Sequence, residues 1–180
     1  MGVRYAVIGA GNGGIAMAGF LALKEFTVKL YNRTIDKIKP LMKDPRIRIT
    51  GAVEGVGVLN IVTADIGEAV ENVDIIMVTV PAMGHYYITK MMAPYLRDGQ
   101  IIVLNPGRTG GALEVYQNLK NSGCNKKIIV AEAQTFIYAC RATGGNSARI
   151  FSIKNEVALA AIPAIYTGKV IRLISGAYPE

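Results

Sequence analysis

The sequence predicts a doubly wound α/β fold: a mostly parallel sheet with helices on both faces and one inserted β-hairpin. Three observations predict it. Short β-rich runs alternate with helical spacing along nearly the whole chain, which implies βαβ units. Residues 74–80 and 101–104 are almost continuously apolar, as strands covered on both faces are. The first β-rich run, residues 3–8, ends at a glycine cluster that opens a helical segment.

The elements follow in order. Residues 13–24 carry apolar side chains at helical spacing (Ile15, Ala18, Phe20, Leu21, Leu23) and lead to a second strand over 26–31. Thr34 is placed to cap a second helix, with Asp36 in its first turn, Ile35, Ile38, Leu41 and Met42 as its apolar face, and Pro45 beyond its end. Runs over 46–50 and 56–62 flank a Gly-rich turn and read as the inserted hairpin. A short helix over 66–71 precedes the strand at 74–80, and a helix over 83–95 precedes the strand at 101–104. A helix over 109–120 and a strand over 127–131 continue the alternation. A loop then leads to a strand around 149–153 and an apolar stretch broken by Pro163. Residues 165–174 are ambiguous.

A chain of 180 residues suits one domain, and 51% hydrophobic residues with 18% charged ones exclude a disordered chain. Cys124 and Cys140 are too few for a disulfide scaffold. With a single His they also leave a Cys/His zinc site short of ligands, so no metal is expected. The longest apolar runs, such as 157–165, fall well short of the roughly 18 residues of a membrane span, and the N-terminus does not read as a signal peptide. A cytoplasmic protein is expected. The net charge is +7, with eight basic residues between Lys24 and Arg48 against Glu25, Asp36 and Asp44. This excess fits a phosphate near the second strand, or a solvated helix face. No aromatic-rich ribonucleoprotein motif accompanies it, so nucleic acid is not an expected partner.

Gly9-Ala10-Gly11-Asn12-Gly13-Gly14 matches G-x-G-x-x-G between a strand and a helix, the context of a Rossmann-type dinucleotide site. Gly9 permits the tight turn, Gly11 lets backbone approach a pyrophosphate, and Gly14 lets the helix pack on the strand. The free N–H groups and the helix dipole favour phosphate charge, so Asn12 and Gly13 belong to the expected site as well. At the end of the second strand, Asn32-Arg33-Thr34 stands where NAD-preferring sites carry a carboxylate. Arg33 can fork onto a 2′-phosphate and stack on adenine, with Asn32 and Thr34 as neutral hydrogen-bonding groups. NADP is therefore expected over NAD. The alternative is that Arg33 only stacks on adenine, with either cofactor. Val80 and Pro81 follow a buried strand at its carboxyl end and are expected near the middle of the cofactor. His85, one helical turn later, reads as structural.

The segments Asn105-Pro106-Gly107-Arg108-Thr109-Gly110-Gly111-Ala112-Leu113-Glu114, Ala131 to Arg141 (AEAQTFIYACR) and Ile153 to Ala164 (IKNEVALAAIPA) resemble the nucleotide-binding half of the octopine/nopaline (opine) dehydrogenase family. The resemblance covers essentially the whole chain. It implies reductive condensation: an amino acid and a 2-oxo acid form an imine, which hydride from NADP(H) or NAD(H) reduces to a secondary amine. It also implies a helical second domain carrying a His paired with an acidic residue. Residues 1–174 are then the NAD(P)-binding domain and 175–180 the start of a linker, with no catalytic residue in this chain.

Asn105 matches a family position at the cofactor. Thr135, Tyr138, Cys140 and Arg141 match positions that line the substrate cleft. Arg141 is open to either a substrate carboxylate, a cofactor phosphate or a structural pairing, and Cys140 is more commonly a small packed residue. The apolar 157–174 stretch suits pairing with a second copy. Two other readings stand beside this one: a glycerol-3-phosphate or ketopantoate-like dehydrogenase domain, and a stand-alone dinucleotide-binding module without catalysis.

Overall fold

In a computed structural model of the chain, residues 2–107 and 109–178 are described. A seven-stranded sheet forms the body, in the order β11-β8-β7-β6-β1-β2-β5. The strands are β1 (Arg4–Ile8), β2 (Thr27–Tyr31), β5 (Ile61–Thr63), β6 (Ile75–Val78), β7 (Ile101–Leu104), β8 (Ile129–Ala133) and β11 (Leu159–Ile162). All pair in parallel except β11, which runs antiparallel to β8 at one edge. The chain crosses from one half of the sheet to the other between β1 and β6, so the carboxyl ends of those strands frame a crevice.

Helices α1 (Asn12–Leu23), α2 (Ile35–Lys43), α3 (Ile66–Val70), α4 (His85–Met92) and α5 (Gly111–Asn121) complete the winding. Hydrophobic cores lie on both sheet faces. One gathers α1 with Val7, Leu30 and Met77; the other gathers α3, α4 and α5 with Ile8, Ile76 and Leu104. In α2 only Ile38 and Leu41 turn inward; Ile35 and Met42 are about half exposed. The expected four-residue apolar face is thus narrowed to two residues, and Thr34 makes no side-chain cap.

The hairpin is present but belongs to a second sheet. Its strands β3 (Arg46–Gly51) and β4 (Gly55–Val58) pair antiparallel, and β3 also pairs in parallel with β10 (Ser147–Ile153). The loop expected before residue 149 contains β9 (Tyr138–Gly144), antiparallel to β10. The run expected over 56–62 is split. Residues after Val58 leave the hairpin and join the main sheet as β5, with the Asn60 side-chain oxygen accepting from Val28 N at 2.8 Å to pin the corner.

This four-stranded sheet, β4-β3-β10-β9, packs across α1. Helix α1 thus lies between two sheets, and every residue from Gly14 to Ala22 is buried. A helix apolar all round belongs in such a setting. The ambiguous stretch at 165–174 forms a single 3₁₀ turn and α6 (Thr167–Ile174), which sends Val170 inward. Of the residues read as a linker, 179 and 180 lie outside the described residues. Ala177 is buried, and Tyr178 stacks on Phe20 with ring centroids 5.5 Å apart. Among the described residues, no helix is long and apolar enough to cross a membrane.

Candidate cofactor site

The glycine turn joins β1 to α1 at the crevice. Gly9 has φ of +111°, a conformation that favours glycine, and its N–H donates to Tyr31 O at 2.8 Å. A Cβ at Gly14 would overlap the Gly9 carbonyl, so the helix sits on the strand end only because that residue has no side chain. A Cβ at Gly11 would meet nothing within 4 Å. The open space beside Gly11 is where a pyrophosphate needs room. Helix α1 has no side-chain cap and no acidic residue in its first turn, so its first amides and its dipole are free to receive an anion.

Two residues of the turn have other duties. A Cβ at Gly13 would lie 2.7 Å from the Phe136 ring, so this glycine makes room for an aromatic side chain. The Asn12 side-chain oxygen accepts from Ala142 N at 3.0 Å, and its carbonyl accepts from the Cys140 thiol at 3.6 Å. The Asn12 side chain therefore ties α1 to β9, and only its backbone faces the site.

Asn32, just beyond β2, accepts from Ala10 N at 3.1 Å and donates to Thr34 O at 2.9 Å. It fixes the glycine turn against the β2 end. The Arg33 guanidinium lies over the Tyr87 ring, 5.4 Å from its centroid. Among the described residues, no carboxylate pairs with Arg33. Two other basic residues of the stretch are engaged elsewhere: Lys29 donates to the carbonyls of Glu68 and Glu71, and Arg46 pairs with Asp44. Val80 packs against Gly9, and Pro81 is exposed at the same rim.

A cavity of about 210 Å³ lies toward the carboxyl ends of β6, β7 and β8, walled by Met17, Met77, Val103, Asn105, Thr135 and Lys154 among others. Asn105 is nearly buried and donates to Val103 O at 2.9 Å; Thr135 accepts from Lys154 Nζ at 2.7 Å. Lys154 is the one charged residue in that wall among the described residues. Sequence reasoning did not single it out, because nothing in the spacing links it to Thr135. Tyr87 was missed for the same reason.

Thr135 is the only one of the four expected cleft residues that lines this cavity. Tyr138 is buried beneath β9, donates to the Tyr178 hydroxyl at 2.8 Å, and packs on Phe20. Burial raises its phenol well above the usual range, so it stays neutral. Cys140 is half-buried behind the glycine turn, and burial pushes its thiol up, away from a reactive thiolate. Arg141 points to solvent from the outer face of the second sheet, opposite Arg149. Successive strand residues face opposite ways, so AEAQTFIYACR cannot present all of its polar groups to one cleft.

His85 is 1% exposed at the start of α4, and neither ring nitrogen has a hydrogen-bond partner. Burial lowers its pKa, against the pull of Glu114, the nearby Val80 backbone and Glu132. Among the described residues no cluster of three metal-ligating side chains exists.

Comparison with known proteins gives a consistent result. Residues 4–125 match the family of the NAD binding domain of 6-phosphogluconate dehydrogenase. An opine dehydrogenase from Arthrobacter sp. (strain 1C) is 34% identical over 177 residues, covering 98% of this chain and 49% of that protein. A solved octopine dehydrogenase with NADH and L-arginine superposes with a TM-score of 0.85 at 21% identity, over 98% of this chain and 46% of its own. A yersinopine dehydrogenase bound to NADP+ superposes with a TM-score of 0.76 at 19% identity, over 98% and 46%. The chain spans about half the length of the curated relatives it matches.

Proposed function

The chain belongs to the family of NAD-binding domains described for 6-phosphogluconate dehydrogenase, as an NAD(P)-binding domain of the opine dehydrogenase type, and from that premise we propose that it holds NADP(H) for the reductive condensation of an amino acid with a 2-oxo acid. The observation that carries this reading is the uncapped N-terminus of α1, opening beside Gly11 into free space with Arg33 close by. The residues fit the cofactor. Backbone amides of Gly11, Asn12, Gly13 and Gly14 would hold the pyrophosphate. Asn32, Arg33 and Thr34 would hold the adenosine ribose and its 2′-phosphate. Val80, Pro81 and Asn105 would flank the route to the nicotinamide.

A bound nicotinamide supplies the hydride. This chain's residues orient it and exclude water on one side, with Thr135 and Lys154 at the polar wall of the adjoining cavity. The condensation joins an amine nitrogen to a carbonyl carbon and releases water; the imine then gains the hydride on carbon and a proton on nitrogen. The one histidine of the sequence, His85, is buried and away from solvent. The opine resemblance implies a second, helical domain carrying a His paired with an acidic residue, and the proton donor is assigned to that domain. A cytoplasmic setting agrees with the two free cysteines and with NADP(H) as cofactor.

Calorimetric titration tests the cofactor half of this reading. NADPH should bind about tenfold or more tightly than NADH, and Arg33→Ala should erase the difference. Equal affinities for the unaltered chain would sink the NADP assignment. NADPH oxidation with mixed amino acids and 2-oxo acids tests the catalytic half. No turnover is expected from this chain alone, and turnover is expected once an opine-type helical domain is joined to it. Turnover by the chain alone would show that its own residues hold the proton donor.

A further inference from the structure

The loops that follow β2 and β6 flank the glycine turn, because β1 lies between those strands in the sheet. Arg33 stands on the first loop and Tyr87 on the helix after the second. Their side chains meet, with the guanidinium over the ring at 5.4 Å. The pair therefore brackets the turn from both sides.

We propose that Tyr87 is a positioning residue for cofactor choice: its ring holds the Arg33 guanidinium ready for an adenosine 2′-phosphate. The inference rests on the NADP(H) reading above.

An exposed arginine with no carboxylate partner samples many rotamers, and a ligand that needs one of them must bear that ordering cost. A ring fixed in advance removes part of it. Tyr87 is suited to the task because α4 is firmly seated. His85, Ile88, Thr89 and Met92 are buried, and the Thr89 hydroxyl donates to His85 O at 2.6 Å. Tyr87 itself is 46% exposed, so its ring is available at the surface and contributes little to the core. A guanidinium plane has two faces and an edge of N–H donors. With one face on Tyr87, the other is free for adenine and the edge for phosphate oxygens. The stack needs only a ring, so the hydroxyl of Tyr87 is not required.

A double-mutant cycle with Arg33→Ala and Tyr87→Leu, read by calorimetric titration of NADPH and NADH, tests this, with Tyr87→Phe as the conservative variant and melting curves to confirm folding. Tyr87→Leu should weaken NADPH about two- to fivefold, as an exposed cation–π contact would, and NADH much less. Tyr87→Phe should retain the preference. In the Arg33→Ala background, Tyr87→Leu should have no further effect on NADPH. Equal weakening of both cofactors, or the same loss with Arg33 absent, would overturn the role of Tyr87 and leave the NADP reading standing. An unchanged NADPH-to-NADH ratio in Arg33→Ala alone would remove Arg33 as the source of the preference, and with it any positioning role of Tyr87.

Discussion

Gly57 of β4 faces the backbone of α1 so closely that a Cβ there would overlap the carbonyl oxygen of Gly19. Gly19 in turn leaves room for Ile47 and Ile49, which would lie 2.6 and 2.7 Å from a Cβ at that position. The two glycines set how near the second sheet approaches the helix. Gly57→Ala meets backbone, which cannot swing aside. It should cost about 1–3 kcal/mol of stability, read as a lower denaturant midpoint with an unchanged slope.

The glycines of the turn should separate in the same way. Gly11→Val places its side chain in open space, so circular dichroism and melting temperature should stay close to those of the parent while dinucleotide affinity falls at least about tenfold. Gly14→Ala drives a Cβ into the Gly9 carbonyl and should lower the melting temperature before any ligand is added. Retained binding by the Gly11 variant would make the turn purely structural.

His85 should make stability depend on pH in a definite window. Burial holds its folded pKa below the ordinary 6.5, so the unfolded chain takes up a proton more readily. Stability is then full above 6.5 and falls as pH drops below it, by at most ~1.4 kcal/mol per pH unit. Asp74, whose carboxyl is held down by hydrogen bonds from Arg4, loses its contribution only below the ordinary 3.8, outside the range in which the His85 slope is read. Urea titrations between about pH 7 and 5 should show the slope in the parent and a flat line in His85→Phe.

Arg141 and Arg149 stand directly opposite each other on neighbouring antiparallel strands, with no carboxylate bridging to either among the described residues. Like charges in that register are unfavourable. Arg141→Glu should raise stability by about 0.2–1 kcal/mol in dilute buffer, and the gain should shrink in 1 M salt. A variant less stable than the parent at low salt would point to a partner for Arg141 within the fold.

The winding of the main sheet was legible because Ile75–Val78 and Ile101–Leu104 are apolar throughout and the glycine turn marks the first crossover. The second sheet was not. In β9 the residues that face α1 after Tyr138 are small, Cys140 and Ala142, because the helix lies so near; small residues give a weak strand signal. At the site, the glycines, Asn32 and Arg33 could be read from the chain because each acts through its local backbone or strand end. Tyr87 and Lys154 reach the site only through the fold, from positions 54 residues after Arg33 and 19 after Thr135. Tyr138 misled because an aromatic residue at a strand end suits a ligand and a core equally well.

Helix α1 serves as the shared wall of both sheets, with α6 beside it on the large sheet. Removing the small sheet would uncover one side of that helix, and loosening the helix would expose both sheets at once. The two sheets should accordingly melt as one cooperative unit, without a partly unfolded species that keeps the larger sheet intact.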